Sequence, residues 1–352
     1  MHNVLKFIAL LGICIPLFSC NKESGNKSSS VPEGTPIRLV VGVESASGTK
    51  VTGVTSNDAT TEAKVNSLQV FVFNGDALDG YAASTNNLAT VTCTSGSREV
   101  VAVVNAPSLV SITTKSGLLA SVSTLENNIS NFQMIGSKTE TLQHNGNVTV
   151  GVDRLAARVV LRGVKNALEN PTQAASFRLV SVYLTNVAGD VNYGKSASYT
   201  ASSWYNRRGY ESTNSLGSFD YDVVDAPVAA GATNSTVHYF YSMPNNKSNI
   251  VGIEPGQSSF TPRRARLIIV AEINGTLYHY PILLPVLESN KSYEINLVNL
   301  TRTGNPDDGK DDGDDPDNHD DEDPIDKFDQ AFEISVNDWT VVLVNGDGNV
   351  TI

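Results

Sequence analysis

The sequence predicts a mainly β protein built from two β-sandwich domains in series, with one short helix in the first domain. Its 352 residues are 40% hydrophobic, which is enough apolar material for two cores. Apolar residues recur in short runs bounded by Gly, Asn, Asp and Pro, the pattern of strands separated by turns. Helical spacing of apolar residues is found at residues 118–129, where we expect the helix.

The strands are predicted from these runs in chain order. Several runs alternate apolar and polar residues with a period of two, which indicates one buried face and one wet face. The boundary between the sandwiches is predicted near residues 151–153, where a polar stretch gives way to a strand that begins at Arg154. The predicted strands are residues 37–43, 68–73, 99–105, 155–164, 177–187, 237–243, 265–273, 277–284, 293–298, 331–336 and 340–344.

The N-terminus has the layout of a secretory signal. Residues 1–20 contain one lysine, an apolar run too short to span a membrane, and Ser19 before Cys20. The ending is similar to a lipobox, so we expect Cys20 to be acylated and to become the new N-terminus. A plain cleaved signal is the alternative. Residues 21–34 are mostly Ser, Lys, Asn and Gly and read as a tether.

The cysteines agree with this interpretation. Cys14 would be removed with the signal and Cys20 would carry lipid, which leaves Cys93 without a disulfide partner. Stability must then come from packing. Cys93 lies between two threonines and is predicted to be a half-buried strand residue rather than a nucleophile.

Both ends of the folded part carry strands that could change partners. The strand at residues 37–43 is followed by the small residues 45–49 and then by Lys50. A protease that cut between Lys50 and Val51 would release that strand and leave a groove for the tail of another molecule. The tail offers apolar β segments whose edges invite pairing, and their apolar residues are Phe332, Ile334, Val336, Trp339, Val341 and Leu343.

The negative charge of the chain is concentrated in one place. The net charge is −12, and residues 305–326 carry eleven Asp, one Glu and one Lys. The rest of the chain is therefore nearly neutral, and nucleic acid is not expected as a partner because phosphate binding needs clustered Lys and Arg. Three prolines in the acidic stretch favour an extended linker, and weak calcium binding is the alternative.

No motif in the sequence supports catalysis. The five histidines are scattered without metal-ligand spacing, and no nucleophile elbow, P-loop or dinucleotide fingerprint occurs. We therefore expect no enzyme activity, no cofactor and no metal site. His238 and His279 are expected to be solvent-facing or hydrogen-bonded strand residues.

A different class of function, a glycan-binding surface lipoprotein, would use Trp204, Tyr205 and Tyr210 to stack on sugars, although core or loop packing is the simpler reading.

Several segments, in this order and spacing, form a recognisable set. They are a lipoprotein start at residues 19–22, a first strand and processing loop at 34–50, a second strand and its turn at 63–75, a strand ending in Asn at 98–106, the opening of a second domain at 154–159, and a C-terminal signature at 293–297 and 336–339. Through these segments the chain resembles the fimbrillins, the major fimbrial subunits of Bacteroidales, whose fibres are type V pili.

The resemblance implies a fold and a mechanism. The sandwiches would be transthyretin-like, of Greek-key type, and the lipoprotein precursor would travel to the outer membrane. A trypsin-like surface protease would cut between Lys50 and Val51, and the C-terminal strands of the next subunit would fill the groove. Lys50 departs from the family pattern, in which arginine precedes the cut, so an anchor or accessory subunit that keeps its lipid is the alternative to a shaft subunit.

The resulting plan has six parts. They are a signal peptide at 1–20, a tether and removable strand at 21–50, a first sandwich at 51–152, a second sandwich at 153–304, an acidic linker at 305–328 and donor strands at 329–352. The expected partners are other copies of the chain, accessory fimbrial subunits, the protease, and ligands on host or bacterial surfaces. The expected location is first the outer membrane and then the extracellular fimbrium.

Overall fold

The computed structural model describes residues 31–45, 62, 64–129, 131–207, 214–248 and 261–306, and the backbone of Ile334–Asp338. Over these residues the chain is mainly β, which confirms that part of the predicted fold class. It has two short α-helices where one was predicted, and the arrangement of two sandwich domains in series stays a prediction. No helix in the described part is both long enough and apolar enough to span a membrane.

A seven-stranded sheet organises residues 36–154. Its strands stand in the order β3-β2-β5-β7-β8-β1-β4. The elements in this part of the chain are β1 (Pro36–Ser45), β2 (Leu68–Asn74), β3 (Ala77–Ser84), β4 (Leu88–Thr94), β5 (Gly96–Val104), α1 (Lys115–Ala120), β6 (Val122–Thr124), β7 (Met134–Leu142) and β8 (Gly146–Arg154).

The two edge strands of this sheet, β3 and β4, meet each other because the sheet curls. A Cβ atom on Gly80 of β3 would lie 2.4 Å from the carbonyl oxygen of Thr92 on β4, so only glycine permits this approach. The Asp79 carboxylate on β3 accepts hydrogen bonds from the backbone nitrogen of Thr94, at 2.9 Å, and from its hydroxyl, at 2.8 Å. The curled sheet therefore encloses a core of its own.

Smaller sheets make up the rest of the described chain. Five strands stand in the order β15-β11-β18-β19-β22, four in the order β17-β9-β20-β23 and three in the order β16-β10-β21, while β12 pairs with β14 and β13 with β6. The elements are β9 (Ala157–Leu161), β10 (Val164–Asn166), α2 (Pro171–Ser176), β11 (Arg178–Thr185), β12 (Val187–Ala188), β13 (Asp190–Asn192), β14 (Trp204–Tyr205), β15 (Tyr221–Pro227), β16 (Thr233–Asn234), β17 (His238–Ser242), β18 (Arg266–Ile273), β19 (Thr276–Leu283), β20 (Lys291–Ile295), β21 (Val298–Leu300), β22 (Asn305–Pro306) and β23 (Ile334–Asp338).

β2 and β5 are buried on both faces. Val70 and Val72 point into the core enclosed by the curled sheet, whereas Phe71 and Phe73 join a larger cluster with residues of the second half of the chain. A strand that is buried on both faces reads as a continuous apolar run, which is why β2 was easy to predict. The division into domains at residues 152 and 153 stays a prediction.

The predicted helix at residues 118–129 was wrong in extent. α1 covers Lys115–Ala120, begins at the Thr114 cap, whose hydroxyl accepts from the Gly117 nitrogen at 3.1 Å, and ends at Ser121 in an extended conformation. The apolar spacing arose because Leu118 and Leu125 are buried in the same cluster from different elements. The second helix, α2, was missed although Asn170 and Pro171 form a helix-start signal.

Candidate functional site

The candidate site is the groove that β1 occupies in the seven-stranded sheet. β1 is antiparallel to β4, from Pro36 opposite Thr94 to Gly42 opposite Leu88. On its other side it runs parallel to β8, with Leu39 opposite Gly146 at the start of the pairing. The first strand of the described chain is thus hydrogen-bonded on both sides, and its removal would leave two unpaired strand edges.

The side chains of β1 alternate between the core and solvent. Ile37, Leu39, Val41 and Val43 are between 0% and 7% exposed and belong to the core enclosed by the curled sheet. Each of these side chains stabilises the folded chain by about 1.5–3 kcal/mol through burial. Arg38 lies on the outer face of the strand. The strand is therefore held by four apolar positions as well as by its main chain.

The turn that leads into β1 is fixed to the junction between β4 and β5. The backbone nitrogen of Thr35 bonds the Pro32 carbonyl at 3.3 Å and closes a tight turn in which Gly34 has φ +82°. Ser95 lies against this turn and exchanges backbone and side-chain hydrogen bonds with it.

Arg98 is a buried arginine beside this turn. Its Nε donates to Asp79 Oδ2 at 3.1 Å and its terminal nitrogens donate to Thr94 Oγ1 at 2.7 Å and to the Ser97 carbonyl at 2.8 Å. Glu33 of the turn lies 3.6 Å from the same guanidinium. Arg98 therefore joins β3, β4 and β5 at one end of the groove while also attracting the turn before β1.

Cys93 lies in the wall of the groove. It is on β4, directly opposite Ile37, and is 3% exposed, so the predicted half-burial was an underestimate. Burial, with a smaller contribution from the charge of Asp79, raises the pKa of its thiol to about 11. The thiol is therefore protonated near neutral pH and packs as a small apolar side chain.

A buried acidic residue fixes the chain where it returns toward β2. Glu62 is 1% exposed, and its carboxylate accepts from Arg158 at 2.9 Å and from the hydroxyl of Tyr241. Its carbonyl accepts from Arg154 Nε at 2.9 Å. Arg158 also donates to the Ser292 hydroxyl at 3.0 Å, so this cluster connects the entry to β2 with β8, β9, β17 and β20.

Asn105 holds the next few residues. It has φ +59°, and its side-chain nitrogen donates to the carbonyls of Lys64, at 2.7 Å, and Phe132, at 3.0 Å. Its side-chain oxygen accepts from the backbone nitrogen of Asn66 at 2.8 Å. Residues 64–66 are thereby held against the end of β5.

At the other end of the chain, β23 pairs antiparallel with β20. Ile295 lies opposite Ile334 and Lys291 lies opposite Asp338, which places β23 at the edge of the four-stranded sheet. The predicted donor residues Ile334 and Val336 therefore belong to a strand that is paired within its own chain. The other predicted site residues lie outside the described part of the chain, and these are Cys20, Lys50, Val51, Phe332, Trp339, Val341 and Leu343.

His238 and Trp204, which were considered above as metal or sugar ligands, are held by contacts within the fold. His238 is buried with its Nδ1 2.9 Å from Asp222 Oδ2, and the described residues include no group of three His, Cys, Asp or Glu side chains placed to hold a metal. Trp204 is 8% exposed and donates from Nε1 to the Ala201 carbonyl at 3.1 Å. Its indole ring is packed in the core and is not available as a sugar platform, and Tyr210 lies outside the described residues.

Ser95, Glu62 and the side-chain contacts of Asn105 were missed from the sequence. Asn105 and Arg158 fell inside segments that carried the family resemblance, which was the available signal for them. Ser95 and Glu62 belong to no local sequence pattern that would distinguish them from the other serines and glutamates of the chain.

A comparison with protein families matches the part of the chain that holds this groove. Residues 35–160, from the turn before β1 to β9, match the family described as major fimbrial subunit protein (FimA). No functionally curated protein matches the chain.

Several solved structures share the fold at low sequence identity. A candidate cell adhesion protein from Bacteroides eggerthii DSM 20697 is 21% identical, with a TM-score of 0.57 over 88% of this chain and 98% of that one. A fimbrilin from Porphyromonas gingivalis W83 is 16% identical, with a TM-score of 0.54 over 87% and 98%. The tip fimbrial protein Mfa3 from Porphyromonas gingivalis, with a C-terminal truncation, is 15% identical, with a TM-score of 0.51 over 86% and 100%. At these identities the likeness establishes the fold.

Proposed function

We propose that the protein is a structural pilin that polymerises by strand exchange, since residues 35–160 match the family described as major fimbrial subunit protein (FimA). The observation that carries the proposal is the position of β1. It is a strand near the chain start, inserted between β4 and β8, with four apolar side chains buried in the core.

The first step of the proposed assembly is cleavage between Lys50 and Val51 by a trypsin-like surface protease. Arg38 is a poor alternative because its backbone is paired opposite Thr92 in the sheet, and a protease must draw its substrate into an extended, unpaired conformation. Glu62 and Asn105 fix the chain on the far side of the cut, so the fold beyond it would keep its place when β1 leaves.

The second step is the filling of the groove by the tail of another copy. Main-chain hydrogen bonds to β4 and β8 would replace those of β1, and apolar tail residues such as Phe332, Ile334 and Val336 would occupy the vacated core positions. The tail would give up its pairing with β20 in its own chain, so one set of backbone hydrogen bonds is exchanged for another. Because the two contact surfaces differ, the contact does not close and a filament grows.

The proposed pathway places the protein in two locations. A lipid on Cys20 would hold the precursor at the outer membrane, and cleavage would release the subunit into the extracellular fimbrium. Other copies and accessory fimbrial subunits would be its partners there, and the fibre would support adhesion to host or bacterial surfaces. Lys50 in place of arginine favours a second candidate within the same class, a lipid-anchored accessory or anchor subunit that is cut slowly or not at all.

The test uses lipid-free protein beginning at Asn21, treated briefly with trypsin. The proposal expects a product that begins at Val51, followed by a ladder of oligomers on gels, and it expects that deletion of residues 329–352 abolishes the ladder. Lys50→Ala should block both events and Lys50→Arg should keep them. If the cleaved protein remains monomeric whether or not its tail is present, strand exchange is wrong. An acylated Cys20 on protein recovered from fimbriae would identify the anchor role instead.

A further inference from the structure

Ser95 is buried at one end of the groove, between β4 and β5. Its backbone nitrogen donates to the Thr35 carbonyl at 2.8 Å, and its carbonyl accepts from the Gly34 nitrogen at 3.1 Å. Its hydroxyl donates to the Pro32 carbonyl at 2.5 Å and accepts from the Thr35 nitrogen at 3.0 Å. All four hydrogen-bonding functions of this fully buried serine are thus used by the turn at residues 32–35.

The space around Ser95 is shaped for that turn. Gly96 follows it with φ +113°, and a Cβ atom there would lie 2.8 Å from Cγ of Glu33. A side chain at position 96 would therefore strain the backbone and would displace the exposed Glu33 side chain of the turn. The partners of Ser95 in the turn are main-chain atoms throughout, so the site recognises a chain conformation and makes no demand on side-chain identity.

The apolar positions of the groove cannot by themselves fix where a strand stops. A slip of one residue would turn Arg38 and Val40 into the core and is excluded by the pleat. A slip of two residues would place Leu39 where Ile37 sits and Val43 where Val41 sits, so three of the four buried positions would still receive apolar side chains and only the Val43 position would receive a polar one, Ser45. A further contact at one end is needed to separate the native register from the slipped one.

We infer that Ser95 sets the register of the strand that fills the groove. Its hydroxyl and backbone form a binding site for main-chain atoms at one end of that strand, and we call this site the seat. In the precursor the seat holds the turn before β1. On the basis of the proposed function, the same seat binds the main chain of the strand from a second copy, which has to bring a carbonyl and N–H groups to Ser95 when its apolar residues are in register. The matched control is Ser97→Ala, because Ser97 is an exposed neighbour on β5.

The experiment uses protein nicked after Lys50, in which labelled peptides compete with the resident strand. A peptide of residues 31–45 carries the turn, and a peptide of residues 36–45 lacks it. Ser95→Ala should weaken binding of the longer peptide about tenfold to a hundredfold, because two hydrogen bonds are lost, and should leave the shorter peptide unchanged. Ser97→Ala should change neither. Equal weakening of both peptides, or equal affinity of the two peptides for the unsubstituted protein, would overturn the inference.

A second readout measures the register itself. A photo-crosslinking residue at peptide position 40 should attach opposite Thr90 of β4 when the longer peptide binds, as in the native pairing. The shorter peptide should attach opposite Thr90 and also two residues away along β4. The longer peptide should do the same when it binds the Ser95→Ala protein. A single attachment site in every combination would show that Ser95 does not set the register.

Amide hydrogen exchange on the uncut chain tests the seat without cleavage. In Ser95→Ala the Thr35 amide keeps only its longer bond to the Pro32 carbonyl, at 3.3 Å, so its exchange should speed up at least about tenfold relative to Ser97→Ala, and unchanged exchange would contradict the inference. Failure of the cleaved protein to polymerise would refute the proposed function and the role of Ser95 toward a second copy. The contribution of Ser95 to holding β1 would still be decided by the peptides and the exchange rates.

Discussion

Ile37 of β1 and Cys93 of β4 lie directly opposite each other in an antiparallel pair, so the thiol is covered by the strand that we propose to be removed. Burial raises the pKa of this thiol to about 11, and β1 is one of the elements packed around it. Loss of β1 should bring the pKa back toward the ordinary value of about 8.5 and open the groove to reagents.

Cys93 should therefore report whether the groove is filled. In lipid-free protein beginning at Asn21, which has no other cysteine, a maleimide should react slowly before cleavage and tens to hundreds of times faster after β1 is released. Polymerisation should protect the thiol again. The measurement is the rate of mass increase, with Cys93→Ser as the blank. Equal rates in intact and β1-free protein would show that β1 does not cover the thiol.

The buried side chains of β1 should provide most of what this strand contributes to the free energy of unfolding. Leu39→Ala should lower the free energy of unfolding by about 2–5 kcal/mol, since it removes a fully buried side chain. Val40→Ala, at the neighbouring position with 37% exposure, should change it by less than about 0.5 kcal/mol. Urea denaturation of the uncut chain measures both. Similar losses for the two substitutions would mean that the alternation along β1 does not determine its packing.

The Glu62–Arg158 ion pair should stabilise the chain through its burial. Glu62→Gln should cost about 3–5 kcal/mol because it leaves the buried guanidinium of Arg158 with less compensation. The matched control is Asp225→Asn, which breaks the exposed pair with Arg178 and should cost less than about 1 kcal/mol. Thermal and urea unfolding provide the comparison. If Glu62→Gln lowers the free energy of unfolding as little as the control does, Glu62 does not hold the chain in place after cleavage.

Asn105 should decide which lysine a protease reaches. Its side chain holds the carbonyl of Lys64, so brief trypsin treatment should give a product that begins at Val51 and remains uncut after Lys64. Asn105→Gly keeps the positive φ but removes these bonds, and a second product beginning at Val65 should appear. Asn145→Gly, at an exposed turn with φ +56°, is the control. The masses of the products separate the cases, and identical digests for all three proteins would contradict the role of Asn105.

Asp190 should link stability to acid pH. Burial acts to raise the pKa of its carboxyl, but hydrogen bonds from Ser202, Tyr199 and Ser203 outweigh burial and hold the pKa below the ordinary value of 3.8. A lowered pKa in the folded state adds stability that is present above the unfolded-state value and is lost as the pH falls through the folded-state value.

The melting temperature of the native protein should therefore fall as the pH drops below about 4, and Asp190→Asn should flatten that part of the profile while lowering stability at pH 7. Asp153→Asn, a half-exposed carboxylate of β8, is the control and should keep the native slope. A parallel decline for Asp190→Asn and the native protein would show that Asp190 does not contribute to the acid dependence.

The sequence was informative where local patterns determine the structure. The run at residues 37–43 predicted β1 almost to its ends, and Leu68–Asn74 was evident because both of its faces are buried. Cys93 was predicted to lie in a strand, but the extent of β4 was not, because its buried residues alternate with threonines and include small Ala89 and Cys93, which makes a weak apolar signal. β8 was missed although its buried Val148, Val150 and Val152 recur with a period of two, because the polar residues before it and residues 151–153 within it were interpreted as a domain boundary.

Long-range partners could not be read from the sequence. The parallel pairing of β1 with β8 joins residues more than a hundred positions apart, and no local periodicity encodes it. The burial of Glu62 depends on Arg158 and Tyr241 arriving from two distant strands. The sequence therefore predicts the removable strand of the candidate groove. The strands that form its walls, the contacts of Ser95, and those of Glu62 and Asn105 beyond the cut depend on residues that are distant in the sequence.

The double-sided pairing of β1 also has a mechanical consequence. A strand held by β4 on one side and β8 on the other meets a lengthwise pull in shear, because its hydrogen bonds lie across the direction of force. Many bonds must then fail together, whereas a strand peeled from a single edge loses its bonds one after another. A linkage made in this groove, with hydrogen bonds on two sides, would resist tension along a fibre better than the one-sided pairing of β23 with β20.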